Sequence, residues 1–384
     1  MKHLFTMLLA LIAATANAQD FVVDGICYNI LSEDDMTVEV TESPYDYAGN
    51  IVIPAEVTYD GGTYSVTAIG ERAFYECGDL VSVDMPSVTA IGKRAFVSCD
   101  ALTSISMPEA TTIGDRAFYD CDNLTSVSMP SVTTIGDEAF NYCDALTSVS
   151  MPSVTTIGER VFNHCDALVS VEMPKVTTIG IAAFSGCYDL TSVSMPSVTT
   201  IGNSAFYYCS ALTSVSMPSV TTIGERAFSH CDVLVSVDIP ASVTTIGNDA
   251  FDGCSGLTSV YCHWEQPLEC NPEFTSEVLM NATLYVPTGT IDAYRSVDPW
   301  RWIINIEEGN YSGIADTPGA GLSVKVIDGV IVVEGGDGMA SAPVVEVYSA
   351  GGQCVHRGTN SSIGGLGHGV YVVKVGGTVQ KVAL

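Results

Sequence analysis

The chain has 384 residues, with 14 Lys and Arg against 44 Asp and Glu, so its formal net charge is −30. Nucleic acid is excluded as an electrostatic partner, because neutralising phosphates requires clustered cations. Anionic membrane surfaces are disfavoured for the same reason. Since 47% of the residues are apolar and only 15% are charged, the composition is that of a folded protein and not that of a disordered chain.

The N-terminal residues have the three parts of a secretory signal peptide, which is predicted to span residues 1–18. Basic residues come first, then an apolar run over residues 4–14, then the small-x-small cleavage site Ala16-Asn17-Ala18. The run is too short to span a bilayer, and no later stretch approaches about 18 consecutive apolar residues, so no transmembrane segment is predicted. We expect the mature chain to begin at Gln19 and to be exported.

Residues 19–66 are predicted to form an N-terminal β cap. Apolar residues alternate in the segments FVVDGICYNI, MTVEV and NIVIPAEVTYDGGTYSV, and Gly61-Gly62 supplies a turn. The end of a stack of repeats must shield a core edge, so atypical β-hairpins are expected here.

Residues 67–260 contain one unit that is repeated nine times. Ile-Gly pairs recur in steps of 22 residues seven times and then 23, and Phe and Cys follow at fixed offsets of five and eight residues from each Ile. The repeated isoleucines are Ile69, Ile91, Ile113, Ile135, Ile157, Ile179, Ile201, Ile223 and Ile246. Such regularity at this period is typical of stacked coils.

The unit LTSVSMPSVTTIGDEAFNYCDA shows how one coil is expected to fold. Leu124, Val127 and Met129 have the spacing of a short strand with alternate side chains inward, and Pro130 ends that strand because it lacks an amide hydrogen. Residues 139–143 have the spacing of one helical or 3₁₀ turn. The predicted fold class is therefore an α/β repeat solenoid of about nine 22–23-residue coils, flanked by β caps and a small all-β C-terminal module.

The repeat pattern loosens after the ninth unit. Residues 261–308, which include Trp300 and Trp302, are predicted to form a C-terminal cap, and residues 309–321 a linker. Residues 322–384 alternate apolar and polar side chains between Gly-rich turns, as a small β-rich module would.

The repeats resemble the BspA-like leucine-rich-repeat surface proteins, whose coils follow I-G-x-x-A-F-x-x-C-x-x-L-x-x-V-x-x-P. Residues 135–152, IGDEAFNYCDALTSVSMP, match every fixed position, and the resemblance covers residues 20–308. Val161 replaces the small Ala in one coil. The resemblance implies a leucine-rich-repeat solenoid that is extracellular or attached to the cell surface, in a family regarded as adhesins or binding scaffolds and not as enzymes.

The C-terminal residues resemble the sorting modules of type IX secretion substrates. The segments VEVYSAGGQCVHRG, GVYVVKV and a final KVAL follow one another in the order found there. This resemblance implies an extracellular or surface-attached product, with attachment to the outer cell surface as one possibility.

Outward positions on the predicted strands form the candidate binding face. Most are serines, and a face with so few aromatic or arginine anchors favours weak polyvalent contacts or no binding at all. The candidate residues are Ser104, Ser106, Ser126, Ser128, Ser148, Ser150, Glu172, Asp238 and Tyr261. A second surface, which either contacts protein or glycan or simply packs against itself, is formed by Tyr119, Tyr142, Tyr188, Tyr207 and Tyr208.

The chain has 13 cysteines, and in an exported protein cysteines often form disulfides. Nine occupy the same repeat position, where they either remain free as small buried hydrophobes or pair in part. Cys262 and Cys270, eight residues apart in the C-terminal cap, are better candidates for a disulfide.

Aspartate follows the repeat cysteine in five coils, at Asp100, Asp122, Asp144, Asp166 and Asp232. These carboxylates either collect a divalent cation such as Ca²⁺ or accept hydrogen bonds from turn amides. No C-x-x-C occurs and the histidines are scattered, so no metal site and no cofactor are predicted. Recognised catalytic motifs are also absent from the sequence, so no enzymatic activity is expected.

Two functional hypotheses follow from these features. The preferred one is a secreted or cell-surface binding protein, an adhesin or protein-interaction scaffold that recognises an extracellular protein or glycan. The alternative is a structural spacer or envelope component without a dedicated ligand, which the monotonous serine positions fit equally well.

Overall fold

The computed structural model describes residues 19–309 and seven short segments beyond them. These segments are 323–327, 330–334, 345–349, 354–358, 362–363, 370–375 and 378–383. The predicted signal peptide and nearly all of the predicted linker lie outside the described residues. The chain divides into two compact units, unit 1 (Met1–Leu190) and unit 2 (Thr191–Leu384).

Unit 1 begins with six strands that precede the first coil. They are β1 (Phe21–Val23), β2 (Ile26–Ser32), β3 (Thr37–Val40), β4 (Gly49–Val52), β5 (Glu56–Tyr59) and β6 (Gly62–Ile69). Two-residue turns, Asp24-Gly25 and Asp60-Gly61, join β1 to β2 and β5 to β6 with positive φ angles. Turns of this kind match the twist of antiparallel strands. β2 pairs antiparallel with β3, which runs parallel to β6.

The coils of unit 1 contribute strands on two sides. The longer strands are β7 (Leu80–Asp84), β9 (Ser104–Ser106), β11 (Ser126–Ser128), β13 (Ser148–Ser150) and β15 (Ser170–Glu172). The two-residue strands are β8 (Ala90–Ile91), β10 (Thr112–Ile113), β12 (Thr134–Ile135), β14 (Thr156–Ile157) and β16 (Thr178–Ile179). Both sets are parallel and pair residues one repeat apart, as Val127 pairs with Val149. The predicted solenoid of stacked coils is confirmed.

Unit 2 contains the remaining coils and the C-terminal cap. Its coil strands are β17 (Ser192–Ser194), β18 (Thr200–Ile201), β19 (Ser214–Ser216), β20 (Thr222–Ile223), β21 (Ser236–Ile239), β22 (Thr245–Ile246) and β23 (Ser259–Cys262). The cap adds α1 (Ser276–Asn281), β24 (Thr283–Val286), α2 (Ile291–Tyr294), a 3₁₀ turn (Trp300–Trp302) and β25 (Asn305–Glu308). β21, β23, β24 and β25 form one parallel sheet, so the cap continues the pairing of the last coils.

The C-terminal segments of unit 2 are all strands. They are β26 (Ser323–Ile327), β27 (Val330–Glu334), β28 (Val345–Ser349), β29 (Cys354–Gly358), β30 (Ser362–Ile363), β31 (Val370–Val375) and β32 (Thr378–Ala383). β26, β27 and β30 form one antiparallel sheet. β29, β28, β31 and β32 form another.

The phenylalanine-bearing segment of each coil is not helical, so the predicted helical or 3₁₀ turn is wrong. In the first coil, Arg72 and Glu76 have φ angles of 61° and 56°, in the left-handed region that a right-handed helix excludes. Successive amides donate alternately to a carbonyl of their own coil and to a carbonyl of the next coil. The Ala73 N–H donates to Gly70 O of its own coil at 3.3 Å, whereas the Phe74 N–H donates to Ala95 O of the next coil at 2.7 Å. Stacking therefore supplies hydrogen bonds that a helix would make internally.

Within the described residues, helix is confined to α1, α2 and the 3₁₀ turn of the C-terminal cap. None of these helices has the length and apolar character needed to cross a membrane.

A column of phenylalanine rings lies at the centre of each unit. In unit 1, the rings from Phe74 to Phe184 stack nearly parallel, with successive centroids 4.8 to 5.5 Å apart. In unit 2, the column runs from Phe206 through Phe251 to Phe274. The repeat phenylalanines are fully buried, so identical residues at a fixed offset build the core of each unit.

The glycine after most of the repeat isoleucines lets adjacent coils approach closely. A Cβ atom at Gly92 would lie 2.7 Å from Gly70 C, and one at Gly114 would lie 2.7 Å from Lys93 N. Both neighbours are backbone atoms of the preceding coil, which cannot move aside without disturbing the stack. The Ile-Gly pair is therefore a packing requirement as well as a turn signal.

Candidate binding surface

Seven of the candidate residues lie on one parallel sheet of unit 1, in which β15, β13, β11, β9 and β7 are successive neighbours. We call these seven residues the serine face: Ser104, Ser106, Ser126, Ser128, Ser148, Ser150 and Glu172. Ile105, Val127 and Val149, which alternate with them, are buried. The serine face therefore forms two rows that point away from the core.

The serine face has little chemical variety. The Ser150 hydroxyl donates to Glu172 Oε2 at 2.9 Å, and on β7 the Ser82 hydroxyl donates to Asn50 Oδ1 at 2.7 Å. The five strands of this face carry no aromatic or arginine residue. Neighbouring strands lie about 4.8 Å apart. Such evenly spaced hydroxyls suit repeated weak hydrogen bonds and offer no strong anchor.

The two candidate residues of unit 2, Asp238 and Tyr261, lie opposite each other on β21 and β23. Tyr261 also lies opposite Tyr285 on β24, with ring centroids 4.6 Å apart and planes 12° apart. His263 Nε2 is 2.6 Å from Asp238 Oδ1, and these two side chains are only 24% and 16% exposed. We call Asp238, Tyr261, His263 and Tyr285 the aromatic–acid cluster. It combines stacked rings with a half-buried carboxylate–imidazole pair.

Sequence reasoning missed two members of the aromatic–acid cluster, His263 and Tyr285. Tyr285 lies in the cap, outside the regular repeat, and His263 comes directly after β23. One signal was present, because the strands SVYC and TLYV both have tyrosine at their third position. The contact between Asp238 and His263 depends on the parallel pairing of β21 with β23, which the sequence alone does not fix.

The repeat cysteines are buried hydrogen-bond donors. Cys143 Sγ donates to Phe118 O at 3.1 Å, and Cys165 Sγ donates to Phe140 O at 3.1 Å. The same contact with the preceding coil is made by the cysteines at 99, 121, 187, 231 and 254. A thiol is a weak donor of small volume, so cysteine both fills the core and satisfies a carbonyl there.

All cysteines whose side chains the structure describes are free thiols. Burial raises the pKa of Cys77 to about 12 and holds the pKa of Cys143 well above its ordinary value. Cys262 and Cys270, the candidates for a disulfide, are both free thiols in this structure, and their pairing stays a prediction. Cys262 is buried on β23, while Cys270 Sγ packs 3.6 Å from Leu268 O in its own segment.

In the described coils, side-chain capping of backbone amides is made by the residue after the Ile-Gly pair. Asp115 Oδ1 accepts from the Asp137 N–H at 3.3 Å, and Asp137 Oδ1 accepts from the Glu159 N–H at 2.8 Å. In unit 2, Asn203 Oδ1 accepts from the Glu225 N–H at 3.0 Å. Each side chain thus ties one coil to the next.

The aspartates after the cysteine are crowded with one another. Burial raises the pKa values of Asp122, Asp144 and Asp166, and neighbouring acids raise them further. In the part of the chain that the structure describes, no three His, Cys, Asp or Glu side chains are grouped so as to hold a metal ion. The described residues therefore offer no set of ligands by which these aspartates would bind a divalent cation.

The tyrosines between the phenylalanine and the next strand stack with histidines. In unit 1, the rings of Tyr142 and His164 are 5.1 Å apart and nearly parallel, and Tyr188 meets His164 edge-on. In unit 2, Tyr208 stacks on His230 at 4.4 Å. These residues therefore pack against one another, yet Tyr142, Tyr188 and Tyr208 keep 39–40% of their surface exposed, so a contact role for this second surface stays a prediction.

Parallel-strand coils with a repeated apolar and cysteine core define a leucine-rich-repeat protein. The chain belongs to the BspA type leucine rich repeat family, whose family model matches six copies over residues 62–168 and 133–258. The two ranges overlap and together cover just over half of the chain. The expected resemblance to BspA-like proteins is confirmed, and the resemblance of the C-terminal residues to sorting modules stays a prediction.

Three solved structures illustrate the similarity to known proteins. A leucine rich cell surface protein of Faecalibacterium prausnitzii A2-165 is 25% identical, with a TM-score of 0.39, over 78% of this chain and 97% of its own. The T. pallidum Leucine Rich Repeat protein is 27% identical, with a TM-score of 0.41, over 56% and 90%. A leucine-rich repeat protein of Bacteroides capillosus is 35% identical, with a TM-score of 0.31, over 34% and 95%. No curated protein matches the chain.

Proposed function

We propose that this protein is a secreted or cell-surface interaction scaffold that adheres to an extracellular protein or glycan. The aromatic–acid cluster carries the proposal, because stacked tyrosines beside a half-buried carboxylate are residues of the kind that anchor interfaces. The serine face of unit 1 adds weak contacts, and many weak contacts to a repetitive ligand give avidity. The proposal includes no enzymatic activity and no cofactor.

Export is supported by the signal-peptide pattern of residues 1–18 and by the family, since BspA-like proteins are typically at the surface or extracellular. We assign the C-terminal strands a role in sorting or surface attachment. Deleting residues 322–384 tests that assignment. Loss of the protein from the cell surface is expected, whereas unchanged surface display would contradict the role.

The spacer hypothesis is favoured by one observation, the uniformity of the serine face. A scaffold that only holds other parts away from the cell needs stiffness and solubility, and the stacked phenylalanine core with a net charge of −30 supplies both.

Binding of the full chain to immobilised extracellular matrix proteins and glycans at physiological salt distinguishes the two hypotheses. Saturable binding is expected, and Ser148→Arg should weaken it if the ligand lies across the serine face. Thr156→Arg is the matched control, because it adds the same side chain at an exposed position on β14, away from that face. A protein that binds no member of the panel would favour the spacer.

A further inference from the structure

A cavity of about 510 Å³ lies in the N-terminal part of unit 1, beside the turn between β1 and β2. The residues that matter for its chemistry are Asp24, Tyr28, Tyr45, Asp46, Tyr47 and Val52. Its volume falls in the range of small-ligand and side-chain pockets. None of the residues that line the cavity belongs to the serine face or to the aromatic–acid cluster. We call it the N-cap pocket.

Tyr28, one of the residues that line the N-cap pocket, has an unpartnered hydroxyl. Its side chain is fully buried, and its hydroxyl has no hydrogen-bond partner among the described residues. The neighbouring Tyr47 differs, because its hydroxyl accepts from the Cys27 N–H and donates to Thr41 O, both at 3.0 Å. A buried polar group without a partner costs free energy, so a side chain that enters the pocket and reaches the Tyr28 hydroxyl would gain a hydrogen bond.

The charge around the N-cap pocket has a single sign. Residues 19–71 contain 11 Asp and Glu and no Lys, Arg or His. Asp24 and Asp46 are exposed where they line the pocket. Burial raises the pKa of Tyr28 to about 12, and the nearby Asp24 charge contributes to that shift. The pocket therefore repels anions and attracts a cation.

The rim of the N-cap pocket is apolar and aromatic. The Tyr45 side chain is 83% exposed and Val52 is 65% exposed. An aromatic ring beside carboxylates favours a cation whose flat face or aliphatic stem can lie against it. Among protein side chains, the guanidinium of arginine combines a planar cation with five donors and an apolar stem.

We propose that the N-cap pocket binds an arginine side chain of a partner polypeptide. The guanidinium donates to the Tyr28 hydroxyl oxygen and to the carboxylates of Asp24 and Asp46, while Tyr45 and Val52 cover the stem. This site is additional to the strand surfaces, and its occupancy does not depend on whether those surfaces bind a ligand.

The test uses ligand-observed saturation-transfer NMR with the full chain and the peptide acetyl-Gly-Ser-Arg-Ser-Gly-amide. The control peptide has citrulline in place of arginine, a side chain of nearly the same shape and without charge. Saturable binding of the arginine peptide and none of the citrulline peptide is expected. Equal signals from the two peptides, or no signal from either, would overturn the proposal.

Two aspartates in equivalent turns supply a matched pair of variants. Asp24→Asn removes a carboxylate of the pocket, and Asp60→Asn makes the same change in the other Asp-Gly turn, outside it. Asparagine tolerates the positive φ of both positions, so both variants keep the fold. Asp24→Asn should weaken binding about tenfold, because a charge-assisted hydrogen bond is lost. Equal affinities of the two variants would contradict the assignment.

Tyr28→Phe tests the hydroxyl separately. The ring and its stacking on Phe21 are retained, so the variant should unfold at the same or a higher temperature than the parent chain. Binding of the arginine peptide should nevertheless weaken several-fold. Undiminished binding by Tyr28→Phe would show that the hydroxyl takes no part.

Discussion

The repeat cysteine illustrates, at the scale of single residues, how one side chain serves two purposes. It fills a small volume beside the phenylalanine column, and its thiol donates to the Phe carbonyl of the preceding coil, as Cys165 does to Phe140 at 3.1 Å. The sequence predicts burial at this position from the repeat spacing. It could not predict the hydrogen bond, which exists only when the coil stacks on the preceding one.

The native protein should resist thiol labelling. A thiol whose pKa is about 12, as for Cys77 and Cys270, has a thiolate fraction on the order of 10⁻⁴ at pH 8, and the repeat cysteines are buried as well. Iodoacetamide at pH 8 should therefore leave the repeat cysteines unmodified until a denaturant is added. Rapid labelling of the native chain would contradict this, and so would a failure to label after denaturation without a reductant.

Two acids on neighbouring turns have pKa values displaced in opposite directions. Arg116 donates to both carboxylate oxygens of Glu138, at 2.9 and 3.0 Å, which lowers the pKa of Glu138. Burial, followed by the nearby Asp166, raises the pKa of Asp144. The ionised form is thus favoured by folding at Glu138 and disfavoured at Asp144.

Replacing each of these two acids by its amide should change the free energy of unfolding in opposite directions. The contribution of Glu138 is present above its unfolded pKa and is lost as the pH falls through its lower folded pKa, so Glu138→Gln should cost about 0.5–1 kcal/mol at pH 7. The favourable contribution of Asp144 is present below its unfolded pKa and is lost as the pH rises, so Asp144→Asn should stabilise slightly at pH 7. Urea unfolding at pH 7 and pH 2.5 measures both. Effects of the same sign at pH 7 would be inconsistent with the opposed shifts.

At the scale of elements, strands were predictable and the segment between them was not. Alternation in S-V-S-M and the proline that follows determine where β11 and β13 begin and end. The spacing of Ala139, Phe140 and Cys143 is compatible with one helical turn and with a series of tight turns. Both conformations place the three side chains on one side. The two conformations differ in the residues with positive φ and in the hydrogen bonds to the next coil. The sequence of one repeat reveals neither feature.

Two adjacent alanines distinguish a chain of turns from a helix. Ala182 has a φ of 52°, whereas Ala183 is fully buried and its carbonyl accepts from the Phe162 N–H. Ala182→Gly should leave stability unchanged or raise it by about 0.5–1 kcal/mol, since glycine adopts positive φ without strain. Ala183→Gly should destabilise by about 1 kcal/mol. Denaturant unfolding provides the comparison, and similar losses from both changes would indicate a helix.

Close approach between coils should make the Ile-Gly pair intolerant of a methyl group. At Gly92, a Cβ would lie 2.7 Å from Gly70 C and 2.8 Å from Ile69 O, both backbone atoms. Gly92→Ala should therefore destabilise by about 2 kcal/mol or more, as overpacking does. Gly78→Ala is a suitable control, because a Cβ there meets no atom within 4 Å. Equal unfolding midpoints for the two variants would contradict the close approach.

At the scale of the whole molecule, the repeat made the stack of coils predictable, while the candidate site was only partly so. The outward serines follow directly from the two-residue period of a strand. The aromatic–acid cluster does not, because Tyr285 and His263 lie beyond the repeat and join Asp238 and Tyr261 only through parallel pairing in the cap. The residues of the candidate site that the repeat could not predict therefore lie in the C-terminal cap, beyond the regular coils.

The central claim is that this protein binds an extracellular ligand through its outward strand surface, with the aromatic–acid cluster as the anchor. The most direct measurement compares the affinity of Tyr261→Ala and Tyr208→Ala for a ligand identified on the matrix and glycan panel. Both variants remove a stacked tyrosine of unit 2, but Tyr208 lies away from the strands. We predict that Tyr261→Ala lowers the affinity about tenfold or more while Tyr208→Ala leaves it unchanged. Undiminished binding by Tyr261→Ala would contradict the claim.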